Sequence, residues 1–189
     1  MKILGLYTHL NRLHIYYASA EQIFENSTYT FEERALSHEL PQLIAACFSQ
    51  STPECIALHN GPGAFTSLRV TLAFIQGFST GLNIPLYVCD HFQLLQDAYQ
   101  IHDGLLMIEN KSQMLPAVRI ENGVISDPFQ YERASIHNHS HHTYPLENCS
   151  KNLAFTLYER ARQTQDQWIS HTELSPNYCF LPQYQKAKA

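Results

Sequence analysis

Several groups of residues in this chain have the types and spacing that chemistry uses. The run Asn60-Gly61-Pro62-Gly63 leads into a helical segment. Backbone N–H groups and the helix dipole at such a junction can cradle a phosphate. Pro62 lacks one of those donors, and no Lys-Ser/Thr pair follows as in a P-loop, so the favoured reading is a tight turn that aims the helix. Ser37-His38-Glu39 sets nucleophile, base and acid types side by side. Adjacent helix positions point in different directions, which prevents their convergence as a triad. His137, His139, His141 and His142, with Cys149 close behind, carry the ligand types of a nickel or zinc site. Ligation needs convergence on one point and supporting hydrogen bonds. The segment around these histidines has no periodicity, so a solvated loop without metal is expected. Cys47, Cys55, Cys89, Cys149 and Cys179 form no C-x-x-C pair, and scattered thiols of odd number suit a reducing compartment better than a disulfide framework.

The elements that must position these groups follow from hydrophobic period and turn residues. Residues 2–8 and 13–19 read as strands joined by a hairpin, and residues 21–25 as a third, edge strand. Thr30-x-x-Glu33 has the spacing of a capping box, with Leu36, Leu40, Leu43, Ile44 and Cys47 as a helical stripe behind it. Pro41 should kink or divide that helix. A strand at 55–59 precedes the glycine-proline run. A helix then spans 67–80 and closes at Gly81, followed by a strand at 85–90 and a helix at 91–100. The order β-β-β-α-β-α-β-α calls for a mixed sheet flanked by helices, as in a ribonuclease H-like fold, the half-unit of actin-like ATPases. Beyond residue 102 the spacing predicts short strands at 104–109, 114–120 and 124–129, a loop over 135–145 and a helix at 151–165. The reading therefore divides the chain into a lobe of residues 1–101 and a smaller, irregular lobe of residues 102–189.

Composition limits what such a molecule does. The 189 residues are 44% hydrophobic and 12% aromatic, enough for a packed core. Only 15% are charged and the net charge is -5, which disfavours a direct grip on nucleic acid. The apolar start turns polar by Thr8-His9, too soon for a secretory signal, and no run approaches a membrane span, so a cytoplasmic protein is expected. Residues 1–101 hold 4 basic and 8 acidic side chains, against 8 and 9 in the remainder. In the same lobe, Leu68, Val70, Leu72, Phe74, Ile75, Phe78 and Leu82 occupy an arc of roughly 200° on a helical wheel, about twice what one sheet covers. Arg69, Gln76 and Thr80 form a narrow polar strip opposite. Such a helix is covered either by a second layer of its own lobe or by another protein.

The segment Gly61-Pro62-Gly63-Ala64-Phe65-Thr66-Ser67-Leu68-Arg69-Val70 closely resembles the G-P-G-S-F-T-G-x-R signature of the TsaB (YeaZ) family. The resemblance continues through Leu72-Ala73, Gln76-Gly77 and Asn83-Ile84-Pro85-Leu86. Weaker echoes lie in the opening strand, in Ser37–Pro41 and in Pro176-Asn177-Tyr178, near a closing E-P-x-Y-L-R.

This resemblance implies an actin-like, two-lobed fold without catalytic activity or cofactor of its own. Family members bind the related TsaD subunit, which carries the metal and nucleotide. With TsaE, an ATPase, and a TsaC-type synthase they make threonylcarbamoyladenosine next to the tRNA anticodon, so tRNA is met only through the complex. The family's helical-bundle interface also serves homodimers. Carried onto this chain, it implies contact through helices around 32–49 and 65–80, with Leu36, Leu40, Phe65, Leu68, Arg69, Leu72, Ala73, Ile75 and Gln76 at the interface and Gly61, Pro62 and Gly63 as the signature turn. Tyr7 replaces the family's first-strand Asp, Leu36 stands where its helix usually has His, no H-x-x-x-H metal pair is present, and the second lobe is shorter than normal. The competing readings are a homodimeric interaction protein outside the tRNA pathway and an actin-like-superfamily enzyme with its own substrate.

Overall fold

A computed structural model describes residues 1–32, 35–108, 110, 112–138, 143–144, 152–170 and 174–179. Strands β1 (Ile3–His9), β2 (Arg12–Ala18) and β3 (Ile23–Thr30) form an antiparallel meander. Helix α1 (Leu36–Gln50) leads to β4 (Cys55–His59), and α2 (Phe65–Leu82) to β5 (Leu86–Cys89), each strand parallel to β1. The sheet order is β3-β2-β1-β4-β5. Helix α3 (His91–Tyr99) follows. The mixed sheet flanked by helices is the ribonuclease H-like, actin-like arrangement that the element order predicts.

Strand alternation divides this sheet's side chains between two cores. Leu4, Leu6, Ile15, Tyr17, Ile56 and Leu58 face α1 and α2, whereas Ile3, Tyr7, Tyr16, Cys55, Ala57 and Tyr87 face the other way. There they meet α3 and a late helix, α4 (Leu153–Gln163), whose Leu153, Ala154, Leu157 and Ala161 are fully buried. At Gly5 the α4 backbone comes so close that an added Cβ would strike the carbonyl of Ala154. Burial of these apolar faces, at about 25 cal/mol per Å², is the main stabilising term.

A second sheet comprises β6 (Gly104–Met107), β7 (Met114–Glu121), β8 (Val124–Ile125), β9 (Phe129–Glu132) and β10 (Thr143–Tyr144). The strand expected over 124–129 is two strands, both pairing with β7. The segment expected to be a loop carries a 3-10 turn at Arg133–Asn138 and β10, which lies parallel to β6. Residues after α4 return to the first sheet, where Ile169 and Leu86 exchange backbone hydrogen bonds of 2.7 and 3.0 Å.

Pro41 lies within α1, which runs on undivided with the buried stripe Leu36, Leu40, Ile44 and Cys47 on both sides of it. Two local expectations are corrected. Thr30 ends β3 rather than capping α1, whose N-cap is Ala35 without a side-chain bond. Helix α2 runs past Gly81 to Leu82 and closes on Asn83, whose φ of 53° is the left-handed geometry that Asn tolerates. No helix of the described residues is long and apolar enough to cross a membrane.

Candidate functional site

The carboxyl ends of the parallel strands β1, β4 and β5 meet at the turn of residues 60–63, the position where open α/β sheets bind ligands. Here the crevice is filled by aromatic side chains. Tyr7 and His9 project from one face of β1, His14 lies opposite Tyr7 on β2, His59 ends β4 and His91 opens α3. His59 and His91 have ring centroids 4.5 Å apart, and Tyr7 lies 5.0 and 5.4 Å from them.

Hydrogen bonding fixes the protons within this cluster. The Pro62 carbonyl only accepts, so His91 Nδ1–H donates to it at 2.5 Å, leaving Nε2 to accept from the Tyr7 hydroxyl at 3.0 Å. His59 likewise donates from Nε2 to the Thr8 carbonyl at 2.9 Å. Both ring nitrogens of His9 and Nδ1 of His59 are buried without a hydrogen-bond partner among the described residues. Burial first, then the neighbouring His59 and Arg12, lowers His9 to a pKa of about 4, and burial lowers His59 to about 4. Burial and the adjacent His59 and His9 hold His91 well below the usual imidazole range. Desolvation and Arg12 lower His14 too. The cluster is therefore neutral at physiological pH.

Asp90 is the carboxylate beside it, raised by burial despite its hydrogen bonds. Its Oδ1 caps α3 by accepting from the Phe92 and Gln93 N–H groups, and Oδ2 accepts from Asn177 at 2.8 Å. Among the described residues no three His, Cys, Asp or Glu side chains are arranged to hold a metal ion. Tyr7 thus occupies with a phenol the place where the resemblance expects a carboxylate.

The turn itself is clamped on two sides. His91 N–H donates to the Gly61 carbonyl at 2.7 Å, and Asn177 N–H donates to the Asn60 carbonyl at 2.7 Å. Gly61 has φ of 116°, and a Cβ there would lie 2.6 Å from the Asn177 carbonyl oxygen. Glycine is required on both counts. Pro62 follows through a cis peptide bond, and Gly63 lies over the His59 ring. The clamped turn aims α2, whose N-cap Ala64 offers no side-chain bond.

Around α2 the expected interface residues separate. Leu36, Leu40, Leu68, Leu72 and Ile75 are buried in the chain's own core and shape the helix pair from inside. Phe48 and Phe78 close the seam between α1 and α2 with ring centroids 4.6 Å apart, so a second layer covers part of the wide apolar arc. Phe65, Arg69 and Ala73 are exposed and Gln76 is half-buried, on one outward stripe. Phe65, at the start of this stripe, is 37% exposed, whereas Leu82, 49% exposed in the last turn, lies on the other side of the helix. Cβ atoms added at Gly77 or Gly81 would meet nothing within 4 Å.

Residues 174–178 pass along this face as a strap. Leu174 is buried against the α1–α2 core, and Asn60 Nδ2 donates to the Ser175 carbonyl at 3.3 Å. The Phe65 and Tyr178 rings lie 5.5 Å apart, and Arg69 sits 3.7 Å above the Phe65 centroid.

Other candidates are scattered. Ser37, His38 and Glu39 are exposed along one turn of α1, and Cys47, Cys55 and Cys89 are buried free thiols. Burial pushes Cys47 and Cys89 up to about 11, leaving them unreactive as nucleophiles. His139, His141, His142 and Cys149, together with the His137 side chain, lie outside the described residues. The histidine cluster at the strand ends escaped the reading of the sequence. Its signal was parity: Tyr7 and His9 share a strand face, His14 pairs across from Tyr7, and His59 continues the Cys55–Ala57 face.

The family model of TsaD, tRNA N6-adenosine threonylcarbamoyltransferase, matches residues 28–121. Among solved structures, YeaZ from Pseudomonas aeruginosa superposes with a TM-score of 0.69 at 14% identity, covering 94% of this chain and 99% of that chain. A protein from the same organism with similarity to peptidase YEAZ gives a TM-score of 0.67 at 13% identity, covering 95% and 99%. EutJ, an ethanolamine utilization protein from Carboxydothermus hydrogenoformans, gives 0.47 at 13% identity over 70% of this chain and 52% of its own. No curated protein matches the chain in sequence. The resemblance to the TsaB (YeaZ) family read from residues 61–70 thus extends to the fold of nearly the whole chain.

Proposed function

We propose that this chain is a non-catalytic partner subunit of tRNA modification, working in the cytoplasm. It docks a TsaD-like subunit through the outward stripe of α2 and activates threonylcarbamoyl transfer to the tRNA adenosine next to the anticodon. A TsaE-like ATPase joins the same assembly, and tRNA is reached only through it. The observation that carries this reading is the α2 face, an exposed stripe of Phe65 and small, uncharged residues around one cation, on a helix aimed by the signature turn. The TsaD family match, which spans α1 and α2, and the YeaZ-like fold support it.

The interface then consists of Phe65, Arg69, Ala73 and Gln76, with Leu36, Leu40, Leu68, Leu72 and Ile75 as the packing beneath. A neutral, filled crevice with a phenol at position 7 favours a supporting role over phosphate chemistry in this chain. Depletion of the protein tests the pathway: threonylcarbamoyladenosine in total tRNA should fall. An unchanged level would favour the homodimeric alternative, and ATP turnover by the isolated chain would favour the enzymatic one.

A further inference from the structure

The groove between α2 and the strap of residues 174–178 holds about 400 Å³ and is lined by Arg69, Ala73, Gln76, Leu174, Pro176 and Tyr178. Arg69 is the only charged residue among the eighteen of α2, and residues 174–179 carry no charge, on a chain of net charge -5. The groove is thus a largely apolar surface whose single charge is a cation.

That cation is held in place. Its guanidinium lies 3.7 Å over the Phe65 ring and 5.1 Å from the Tyr178 centroid, and Nε donates to the Tyr178 hydroxyl at 2.5 Å. Nε is the only Arg69 donor with a partner among the described residues, and no carboxylate among them pairs with it. A planar guanidinium fixed at Nε and stacked on aromatic rings has lost much of its rotamer freedom. Its two terminal amino groups keep the parallel geometry that matches a carboxylate.

We propose that this groove receives a carboxylate carried on an apolar helix of the partner, with Arg69 as the receiving residue and Tyr178 as the residue that positions Arg69. This rests on the docking reading above and extends the interface to a strap that lies 109 residues away in sequence. An apolar lining beside one oriented cation suits a protein helix with an Asp or Glu better than RNA, which needs several cations along a backbone.

Titration of the intact chain against its TsaD-like subunit tests this. Arg69→Gln should weaken binding about tenfold or more, and Arg69→Lys nearly as much, because a point charge does not form the fork. Tyr178→Phe, which keeps the ring and removes the hydroxyl, should cost about threefold. Added salt should weaken the wild type but leave Arg69→Gln nearly flat. Single Asp or Glu→Arg replacements on the partner's apolar helix should restore binding to Arg69→Glu. The proposal is overturned if Arg69→Gln binds like the wild type while Ala73→Glu does not, a result that leaves the docking reading intact. A wild type that does not bind removes both. Tying Arg69 to retention of tRNA by the chain alone, or to a homodimer with partner affinity unmoved, would also overturn it. Arg69 is exposed, so the variants should melt with the wild type.

Discussion

The strand-end cluster and the outer face of α2 share the turn at residues 60–63, yet they solve opposite problems. In the cluster, His59 is 2% exposed and His91 0%, and their rings are held neutral by desolvation. On the outer face of α2, Phe65 stays 37% exposed and Ala73 is open to solvent although the helix carries a single charge. Where ligands enter other open α/β sheets, this molecule has packed its polar groups against each other. Where most helices turn a charged side to water, it turns one with a single charge among Phe65 and small residues. Closure of the first region gives the second a rigid base, because His91 and Asn177 grip the turn that aims the helix.

Acid should separate the two regions most strongly. The folded pKa of His9 and of His59 is about 4, below the ordinary imidazole value of 6.5, so the unfolded chain takes up protons first. The stability these two rings contribute is therefore complete above about pH 6.5, falls as pH drops toward about 4, and levels off below it. Each histidine accounts for about 3 kcal/mol of that loss, because below about pH 4 the folded rings take up protons as well. Denaturant midpoints measured across this range should show the decline, and a flat profile would break the account of the cluster.

Gly61→Ala places a Cβ against the Asn177 carbonyl oxygen at an unfavourable φ, and should cost about 3 kcal/mol in urea titrations. A variant as stable as the wild type would show that the strap does not clamp the turn. His9→Leu removes two ring nitrogens without a hydrogen-bond partner among the described residues, so at pH 7 it should change stability by less than about 1 kcal/mol. It should also shrink the acid-dependent loss. On the other region, Gly77→Ala should raise the melting temperature, by the equivalent of about 0.5–1 kcal/mol, since its Cβ meets open space. Ala73→Glu should move stability by less than about 0.5 kcal/mol, as for other exposed positions.

Element types were readable from the sequence wherever apolar period was strong. The runs Cys55–His59 and His91–Tyr99 are close to their expected bounds, and the order of elements through α3 is as expected. The edge strand β3 extends to Thr30, past its expected end, because an edge strand bearing Glu25, Asn26 and Thr28 carries no apolar alternation. Sheet pairing, not composition, makes it a strand. The wide apolar arc of α2 was visible, but which residues face inward depends on α1 and the strap. Only the fold reveals that Leu68, Leu72 and Ile75 lie inside while Phe65 and Ala73 lie outside. The histidine cluster gathers residues from four elements, and while strand parity gives each one's face, no local spacing says that those faces meet.

The central claim is that the open α2 face, not the closed cluster, engages the partner. Its most direct test is calorimetric titration of the TsaD-like subunit at pH 7 with the wild type, Ala73→Glu and His9→Leu. Ala73→Glu buries an unpaired charge at the contact, so its affinity should drop about a hundredfold or more, while His9→Leu should bind as the wild type does. The reverse, with Ala73→Glu unimpaired and His9→Leu unable to bind, would contradict the account.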